Sequence, residues 1–172
     1  LLYKEYVHLL DSLHIPRRNL YAGNQFENIS HTRLFVLHPT KQFADTHAVH
    51  NLNNCSVVFK LVYKNTSILF DGDAEKEAEE QIANTYGNFL RCSLLKTGHH
   101  GSRTSSSENF LNFVHPQLAG ISVGTRNKFH HPSKLTLLHF KEKNISTFRT
   151  DEEGAIVFES DGNEWKRIVW RK

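Results

Sequence analysis

An apolar run that ends in two carboxylates is the first segment whose residue types and spacing could support chemistry. The segment reads SILFDGDAEKEAEE, with Asp71 and Asp73 on either side of a glycine and a strongly helical stretch directly after them. One interpretation is structural, with Asp73 as the N-cap of that helix and Asp71 turning the chain. The other is that a carboxylate here bridges hard or borderline metal ions.

Two adjacent histidines between glycines mark the second segment, CSLLKTGHHGSRTSSS. His99 and His100 lie away from any apolar stripe, and the flanking glycines let the backbone approach a ligand closely. Imidazole nitrogens suit zinc and similar metals, so we predict a functional role for this pair. Ser102 and Arg103 follow at once and could hold phosphate oxygens; a solvated loop with a helix cap is the alternative.

The third segment, ISVGTRNKFHHPSKL, again passes from a strand through a glycine into a loop. Asn127 and His131 lie in this loop before a helix that begins near a proline, which is ordinary at a helix start. Both residues are candidates for a site, and both are equally compatible with turn and capping roles. All three segments fall at strand-to-loop junctions, where α/β folds place their sites.

The composition is that of one globular domain. The chain has 172 residues and a formal net charge of +3, which excludes a strongly basic nucleic-acid module. Cys55 and Cys92 are too few for a disulfide scaffold or a Cys-rich zinc site. No apolar run approaches the roughly 20 residues of a membrane helix. The chain lacks methionine and opens Leu-Leu-Tyr-Lys-Glu, so we expect it to be an internal segment of a longer protein.

Hydrophobic periodicity predicts the elements of the first third of the chain. A 3.6-residue stripe of tyrosines and aliphatic residues predicts a helix over 2–13, which ends before Pro16. Short strands are predicted over 18–22 and 33–38, separated by the polar turn AGNQFENIS. The stretch 39–54 is rich in Asn, His and Thr and is predicted to be a loop.

From residue 56 onward, strands alternate with helices, which is typical of a layered α/β fold. Ala74, Ala78 and Ile82 line one face of a predicted helix over 74–86. The chain closes with a β-rich tail. The other elements after residue 55 are predicted over 56–63, 66–71, 92–96, 106–114, 118–123, 133–143, 146–150, 155–159 and 165–170.

The predicted elements lead to a prediction about the site. Ser105 with Glu108 reads as a capping box that opens the second helix. Because this helix and the preceding one each carry a single apolar stripe, we predict that both cover one face of a single sheet. The loops at the strand ends then converge, and we expect side-chain atoms of Asp73 and His100 about 4 to 7 Å apart, the span of one or two shared metals.

The strand over 56–63 is apolar on both of its faces. Val57, Phe59 and Leu61 lie on one face, and Val58 and Val62 lie on the other. Two-sided hydrophobicity marks a strand that is buried on both faces. We therefore expect a large exposed apolar patch, or coverage by residues outside this sequence.

Taken together and in order, these segments resemble a known family. The stretches SVVFKLVYKNTSILFDGDAEKEAE, LLKTGHHGSRTSSSENFL, ISVGTRNKFHHPS and FRTDEEGAIVF are similar to the second half of a metallo-β-lactamase-fold domain of the ComEC competence type. The resemblance runs from about residue 30 to the end. It implies an α/β fold that is the back half of a four-layer αβ/βα sandwich.

The resemblance implies a role for each matched residue of the metal site. Asp73 would be the carboxylate that bridges two ions, and His100 would bind one of them. His99 and His131 would be catalytic, through contact with phosphate or assistance to the leaving group. The implied cofactors are two divalent ions, zinc or manganese, whose ligand set is incomplete in this chain.

The resemblance also implies a substrate side of the site, made by Asn127, Ser102 and Arg103. Asn53 and Asn54 in NNCS match an Asn-rich stretch before a core strand, where other branches have a ligand histidine. That ligand would be altered or vacant here. The first metal motif of the superfamily, His-x-His-x-Asp-His, is absent, so residues 1–172 are interpreted as one domain whose N-terminal part is missing.

The implied function is metal-dependent hydrolysis of phosphodiesters, with DNA as the expected substrate in a DNA-uptake protein. Two alternatives stay open: a non-catalytic structural or nucleic-acid-docking module that has lost the metal motif, and a related stand-alone phosphodiesterase. The implied partners are DNA or another phosphodiester, the missing N-terminal half of the domain, and a membrane channel domain in the parent protein. A competence protein would be membrane-tethered, with this domain outside the cytoplasm; otherwise the protein would be soluble.

Overall fold

The computed structural model describes residues 2–47 and 51–169 and shows a mixed α/β architecture. Within these residues, seven strands form one sheet in chain order, and two more form a separate hairpin. The α/β prediction is therefore confirmed. The strands are β1 (Gln25–Ile29), β2 (Thr32–His38), β3 (Val58–Tyr63), β4 (Thr66–Phe70), β5 (Leu94–Lys96), β6 (Leu118–Ile121), β7 (Ser146–Arg149), β8 (Val157–Ser160) and β9 (Trp165–Ile168).

Helices connect the strands of the second half of the sheet. Their bounds are α1 (Leu2–Ser12), α2 (Lys41–His47), α3 (Lys76–Tyr86), α4 (Glu108–Val114), α5 (Lys134–Glu142) and α6 (Thr150–Glu153). Three short 3₁₀ turns lie at Asn53–Cys55, Gly87–Leu90 and Gly98–Gly101. In the described part of the chain, no helix is both long enough and apolar enough to cross a bilayer.

The sheet changes from antiparallel to parallel at β4. Strands β1 to β4 pair antiparallel, whereas β4 to β7 pair parallel. Parallel neighbours need a crossover, and here α3, α4 and α5 each lie between two consecutive parallel strands. The carboxyl ends of β4, β5 and β6 consequently lie side by side at one edge.

One face of the sheet is buried under helices. Leu69, Leu95 and Ala119 are in register across β4, β5 and β6, and all three are fully buried. Ile82 of α3 and Phe110 of α4 belong to the same core cluster. The predicted single sheet with both helices on one face is confirmed.

The other face is apolar and partly covered by the hairpin β8–β9. Phe59 and Phe70 are cross-strand neighbours whose rings stack 4.5 Å apart, and neither is fully buried. The hairpin reaches this face through Ser160, whose Oγ lies 2.7 Å from Oγ1 of Thr66, on the same face of β4 as Phe70. Val57 is 39% exposed.

The first third of the chain required two corrections. The predicted strand over 18–22 is wrong, and the supposed polar turn after it contains β1, because Gln25 and Phe26 pair with β2. The predicted loop over 39–54 contains α2, where Thr40 Oγ1 accepts a hydrogen bond from the Phe43 N–H and so caps the first turn.

Helix α1 is present as predicted, but its apolar stripe is not buried. None of its described residues is buried, and Tyr3 and Tyr6 are 75% and 58% exposed. Periodicity therefore located the helix correctly but did not identify a core element.

Two predicted helix caps are also corrected. Ser107, rather than Ser105, accepts the Phe110 N–H at the start of α4, and Ser105 Oγ instead donates to the Ala74 carbonyl at 2.5 Å. Asp73 is not the N-cap of α3, because Glu75 occupies that position. The structural interpretation of Asp73 as a helix cap is therefore wrong.

Candidate functional site

Three loops begin at the edge where β4, β5 and β6 end. The ladder continues just past the strands, since the Asp71 N–H donates to the Lys96 carbonyl and the Thr97 N–H donates to the Gly120 carbonyl. The Asp-Gly-Asp turn, the Gly-His-His-Gly turn and the 124–131 loop start from these neighbouring ends. We call Asp73, Glu75, His99 and His100, whose side chains are 20 to 49% exposed, the outer set.

Gly72 makes the Asp-Gly-Asp turn possible. Its φ of +59° lies in the left-handed region, and a Cβ there would lie 2.9 Å from Ser56 Cβ. The Gly72 carbonyl accepts the His99 N–H at 2.9 Å, and Ser56 Oγ accepts the Asp73 N–H at 3.1 Å. These two bonds tie the first loop to the second and to the start of β3.

The Gly-His-His-Gly turn holds both histidines in an unusual backbone conformation. His99 and His100 have φ values of 42° and 55°, which non-glycine residues seldom adopt outside constrained sites. Gly98 and Gly101 allow close packing: a Cβ at Gly98 would collide with Asp71 Oδ2, and one at Gly101 would lie 2.7 Å from Pro132 Cβ. The constrained turn places the His100 ring against the Ser122 carbonyl and the His99 ring beside Glu75.

His100 and Asp73 face each other directly. His100 Nε2 lies 3.6 Å from Asp73 Oδ1, just under the predicted span. His100 Nδ1 lies 2.7 Å from the Ser122 carbonyl oxygen, which can only accept, so Nδ1 carries the hydrogen. A neutral His100 then points a lone pair at a carboxylate. Two acceptors facing each other call for a cation between them, either a proton or a metal ion.

His99 is paired with a carboxylate that the sequence did not single out. Its Nδ1 lies 3.3 Å from Glu75 Oε1, close enough for an ion pair but not aligned as a hydrogen bond. Asn53 and Asn51 donate to the two oxygens of Glu75 at 3.0 and 3.1 Å. Burial by itself would raise the pKa of Glu75, but these amide hydrogen bonds and the charge of His99 lower it overall.

The Asn-rich stretch therefore clamps the start of α3. Asn54 Oδ1 accepts the Glu75 N–H at 2.9 Å, and Asn54 Nδ2 donates to Glu77 at 3.0 Å. The buried His38 lies 2.7 Å from the Asn54 carbonyl oxygen through Nε2. Asn53 and Asn54 thus bind both the side chain and the backbone of Glu75, a member of the outer set. An acidic residue two positions after Asp73 was the available sequence signal for Glu75.

Asn127 closes the third loop on itself. Its Nδ2 donates to the Gly124 and His131 carbonyls at 3.0 and 2.8 Å, and its Oδ1 accepts the His131 N–H at 2.8 Å. The His131 ring lies 5.7 Å from the His99 ring, so the loop meets the outer set. Burial lowers the pKa of His131, and the charges of His99 and His100 lower it further.

Ser102 and Arg103 have different surroundings. Ser102 is 5% exposed, and its hydroxyl is engaged with Thr104 Oγ1 at 2.9 Å. Arg103 lines a cleft of about 810 Å³ beside Glu80 and Glu108. A substrate role for these two residues stays a prediction, as do the roles of the other site residues.

Beneath the turn lie two buried carboxylates, Asp71 and Glu79, which we call the inner pair. Glu79 accepts the N–H groups of Ser106 and Ser107, the latter at 2.9 Å. Neither oxygen of Asp71 has a hydrogen-bond partner among the described residues. Burial raises the pKa of Asp71 well above its ordinary value, and the charge of Glu79 raises it further. Burial raises the pKa of Glu79 as well, but its hydrogen bonds to Ser107 and Ser106 oppose that shift.

The donor set for a metal is small within the described residues. They contain no group of three or more His, Cys, Asp or Glu side chains arranged to hold an ion. The fitting donors are Asp73 Oδ1 and His100 Nε2, with both acceptor atoms facing one space. Zinc takes about four donors, so these two would form part of a site.

Comparison with known proteins relates the chain to competence proteins. It is 37% identical over 106 residues to ComE operon protein 3 of Bacillus subtilis and 38% identical over 106 residues to Competence protein ComA of Neisseria gonorrhoeae. It is 42% identical over 111 residues to Recombination protein 2 of Haemophilus influenzae. The alignments cover 62 or 63% of this chain but only 14 or 15% of each relative. No family model matches the chain.

Proposed function

We propose that this chain belongs to a DNA-uptake protein and that its outer set is part of a metal-dependent phosphodiester hydrolase centre. The names of two relatives support the biological role. The facing atoms of Asp73 and His100, 3.6 Å apart, carry the chemical proposal, because a divalent cation would accept a lone pair from both.

The proposed chemistry assigns a task to each side chain. Asp73 and His100 would hold the ion, which when bound would lower the pKa of a coordinated water and polarise a phosphoryl oxygen. Glu75 holds His99 in place, and His99 and His131 lie close enough together to contact one phosphate group. His131 favours its neutral form, so it is suited to accept a proton or a hydrogen bond.

The proposal includes a larger domain. The remaining ligands would come from the His-x-His-x-Asp-His motif that this chain lacks, in an N-terminal half that adds a second sheet. The partly exposed aromatic face around Phe59 and Phe70 supports this, because a four-layer sandwich needs an apolar face of that kind. Manganese or zinc would be the ion, and DNA the substrate.

Paramagnetic broadening by Mn²⁺ tests the metal site without requiring activity. We expect low concentrations of Mn²⁺ to broaden the amide signals around Asp73 and His100 first, and Asp73→Asn to abolish that pattern. His8→Ala, an exposed histidine on α1, is the matched control and should leave it unchanged. Broadening centred on the Glu77, Glu80 and Glu108 cleft would contradict the site.

Hydrolysis of a fluorescent DNA substrate tests the activity, in a protein that joins this chain to an N-terminal half carrying the missing motif. Metal-dependent cleavage should fall at least about 100-fold in His100→Ala, because removing a metal ligand costs that much or more. Specific binding of DNA without cleavage at any metal concentration would favour the non-catalytic docking module.

A further inference from the structure

An exposed aromatic ring projects from the rim of the proposed site. Phe129 is 67% exposed, and its ring stacks on His131 at 5.8 Å between centroids with an interplanar angle of 17°. His131 in turn lies 5.7 Å from His99. The two stacked rings therefore extend from the outer set toward solvent.

The loop that carries Phe129 is held in shape by internal hydrogen bonds. The side chain of Asn127 makes three of them, one to the Gly124 carbonyl and two to the backbone carbonyl and N–H of His131. The His130 N–H also donates to the Asn127 carbonyl. A ring presented on a closed loop loses little conformational entropy when a planar ligand stacks on it, which favours binding.

The surroundings of the ring are cationic. Arg126, Lys128 and His130 are exposed, and Lys128 Nζ lies 5.2 Å from the Phe129 ring centroid. Between Glu108 and Glu142 the sequence contains no Asp or Glu. The loop is therefore a local basic and aromatic surface on a chain whose net charge is only +3.

We propose that Phe129 and His131 form a stacking platform for an unpaired nucleobase, with Lys128 and Arg126 contacting the adjoining phosphates. This inference rests on the proposed function and narrows it to single-stranded or frayed DNA beside Asp73 and His100. Exposed aromatic rings stack on unpaired bases irrespective of sequence, whereas bases inside a duplex are already stacked on each other. Phosphate contacts position the strand.

Binding of three fluorescent probes to the 172-residue chain tests the platform: a short oligothymidylate, an abasic strand of equal length, and a duplex of equal length. We expect the oligothymidylate to bind most tightly. Phe129→Leu should weaken it about tenfold, because leucine offers no aromatic face on which a base can stack. Phe129→Trp should retain the affinity. The abasic strand should bind wild type and Phe129→Leu equally.

Two controls separate stacking from charge and from folding. Lys128→Ala should weaken the oligothymidylate and the abasic strand by the same factor and lower the salt dependence of both. Tyr6→Leu removes another exposed ring, on α1, and should change nothing. Thermal unfolding followed by circular dichroism confirms that each variant folds.

The outcomes distinguish the stacking platform from the proposed function on which it rests. Three results would overturn the platform but not the role in handling DNA. They are equal wild-type affinity for the oligothymidylate and the abasic strand, unchanged binding by Phe129→Leu, and tighter binding of the duplex. If wild-type protein binds none of the three probes at low salt, both the platform and the role in handling DNA are wrong.

Discussion

Asp71 and Asp73 are separated by one glycine, yet they lie on opposite sides of the same turn. Asp71 is fully buried beside a second carboxyl group, that of Glu79, whereas the side chain of Asp73 is 44% exposed and faces His100. The inner pair connects β4, α3 and the Ser106–Ser107 segment beneath the turn. The outer set is partly exposed to solvent, and it contains the facing atoms Asp73 Oδ1 and His100 Nε2.

This difference leads us to expect different roles for the two aspartates of one short motif, stability for Asp71 and cation binding for Asp73. A buried carboxyl group is tolerated when a raised pKa favours its protonated form or when it accepts several hydrogen bonds. Asp71 shows the first feature, and Glu79 shows the second. An exposed carboxylate facing an imidazole lone pair is a poor structural element and a good cation ligand. We therefore expect inner substitutions to change stability and outer substitutions to change binding.

The largest effect on stability is expected for Glu79→Ala. The variant leaves the buried N–H groups of Ser106 and Ser107 without an acceptor, so we expect it to lower the free energy of unfolding by about 3 kcal/mol, since each such donor costs about 1 to 3 kcal/mol. Urea denaturation measures the change. Glu80→Ala, on the exposed side of α3, should change it by less than about 0.5 kcal/mol. Equal losses in the two variants would mean that the inner pair has no special structural role.

The second effect is a dependence on pH that comes from Asp71 together with Glu79, because burial raises the pKa of both carboxyl groups. Because the folded-state pKa of Asp71 lies above the ordinary value of 3.8, the folded protein binds the extra proton between the two values. The stability contribution is present below about pH 4 and is lost as pH rises through the folded pKa, at up to about 1.4 kcal/mol per pH unit. Asp71→Asn should flatten this slope in urea titrations at several pH values. Asp73→Asn should keep it, and a slope that survives Asp71→Asn would refute the assignment.

The third effect concerns the orientation of His99. Glu75→Gln removes the negative charge that faces Nδ1 and keeps one acceptor oxygen, so one of the two hydrogen bonds from Asn53 and Asn51 is retained. We expect a loss of stability below about 1 kcal/mol and a clear change in the imidazole ¹⁵N shifts of His99, with those of His100 unchanged. Identical His99 shifts in wild type and variant would show that Glu75 does not position the ring.

The smallest effect on stability is expected for Asp73→Asn. The side chain is half-exposed and caps no helix, and its contact with His100 is 3.6 Å long, so the free energy of unfolding should change by less than about 0.5 kcal/mol. Differential scanning fluorimetry without added metal measures this. A large loss would place Asp73 with the inner pair and remove the distinction between the two sides of the turn.

Local patterns in the sequence determined much of the fold. The spacing of Ala74, Ala78 and Ile82 predicts the buried face of α3, and all three side chains are buried. The β-branched and aromatic run over 56–63 predicts a strand, which the structure shows as β3 over 58–63. These features depend on hydrophobic period and residue type within a few positions. They can therefore be predicted without knowing which other elements the helix or strand packs against. The approach of Asp73 to His100 was also predictable, because neighbouring parallel strands bring their carboxyl ends together.

Only the tertiary structure decided which partners complete the site. Glu75 meets Asn51 and Asn53 from 24 and 22 positions away, and it meets His99 across the gap between β4 and β5. The sequence could not tell Asp71 from Asp73, since each is an aspartate beside a glycine in a turn. Burial separates them: the protein interior disfavours the charge of Asp71 and raises its pKa, whereas the side chain of Asp73 is 44% exposed and faces His100.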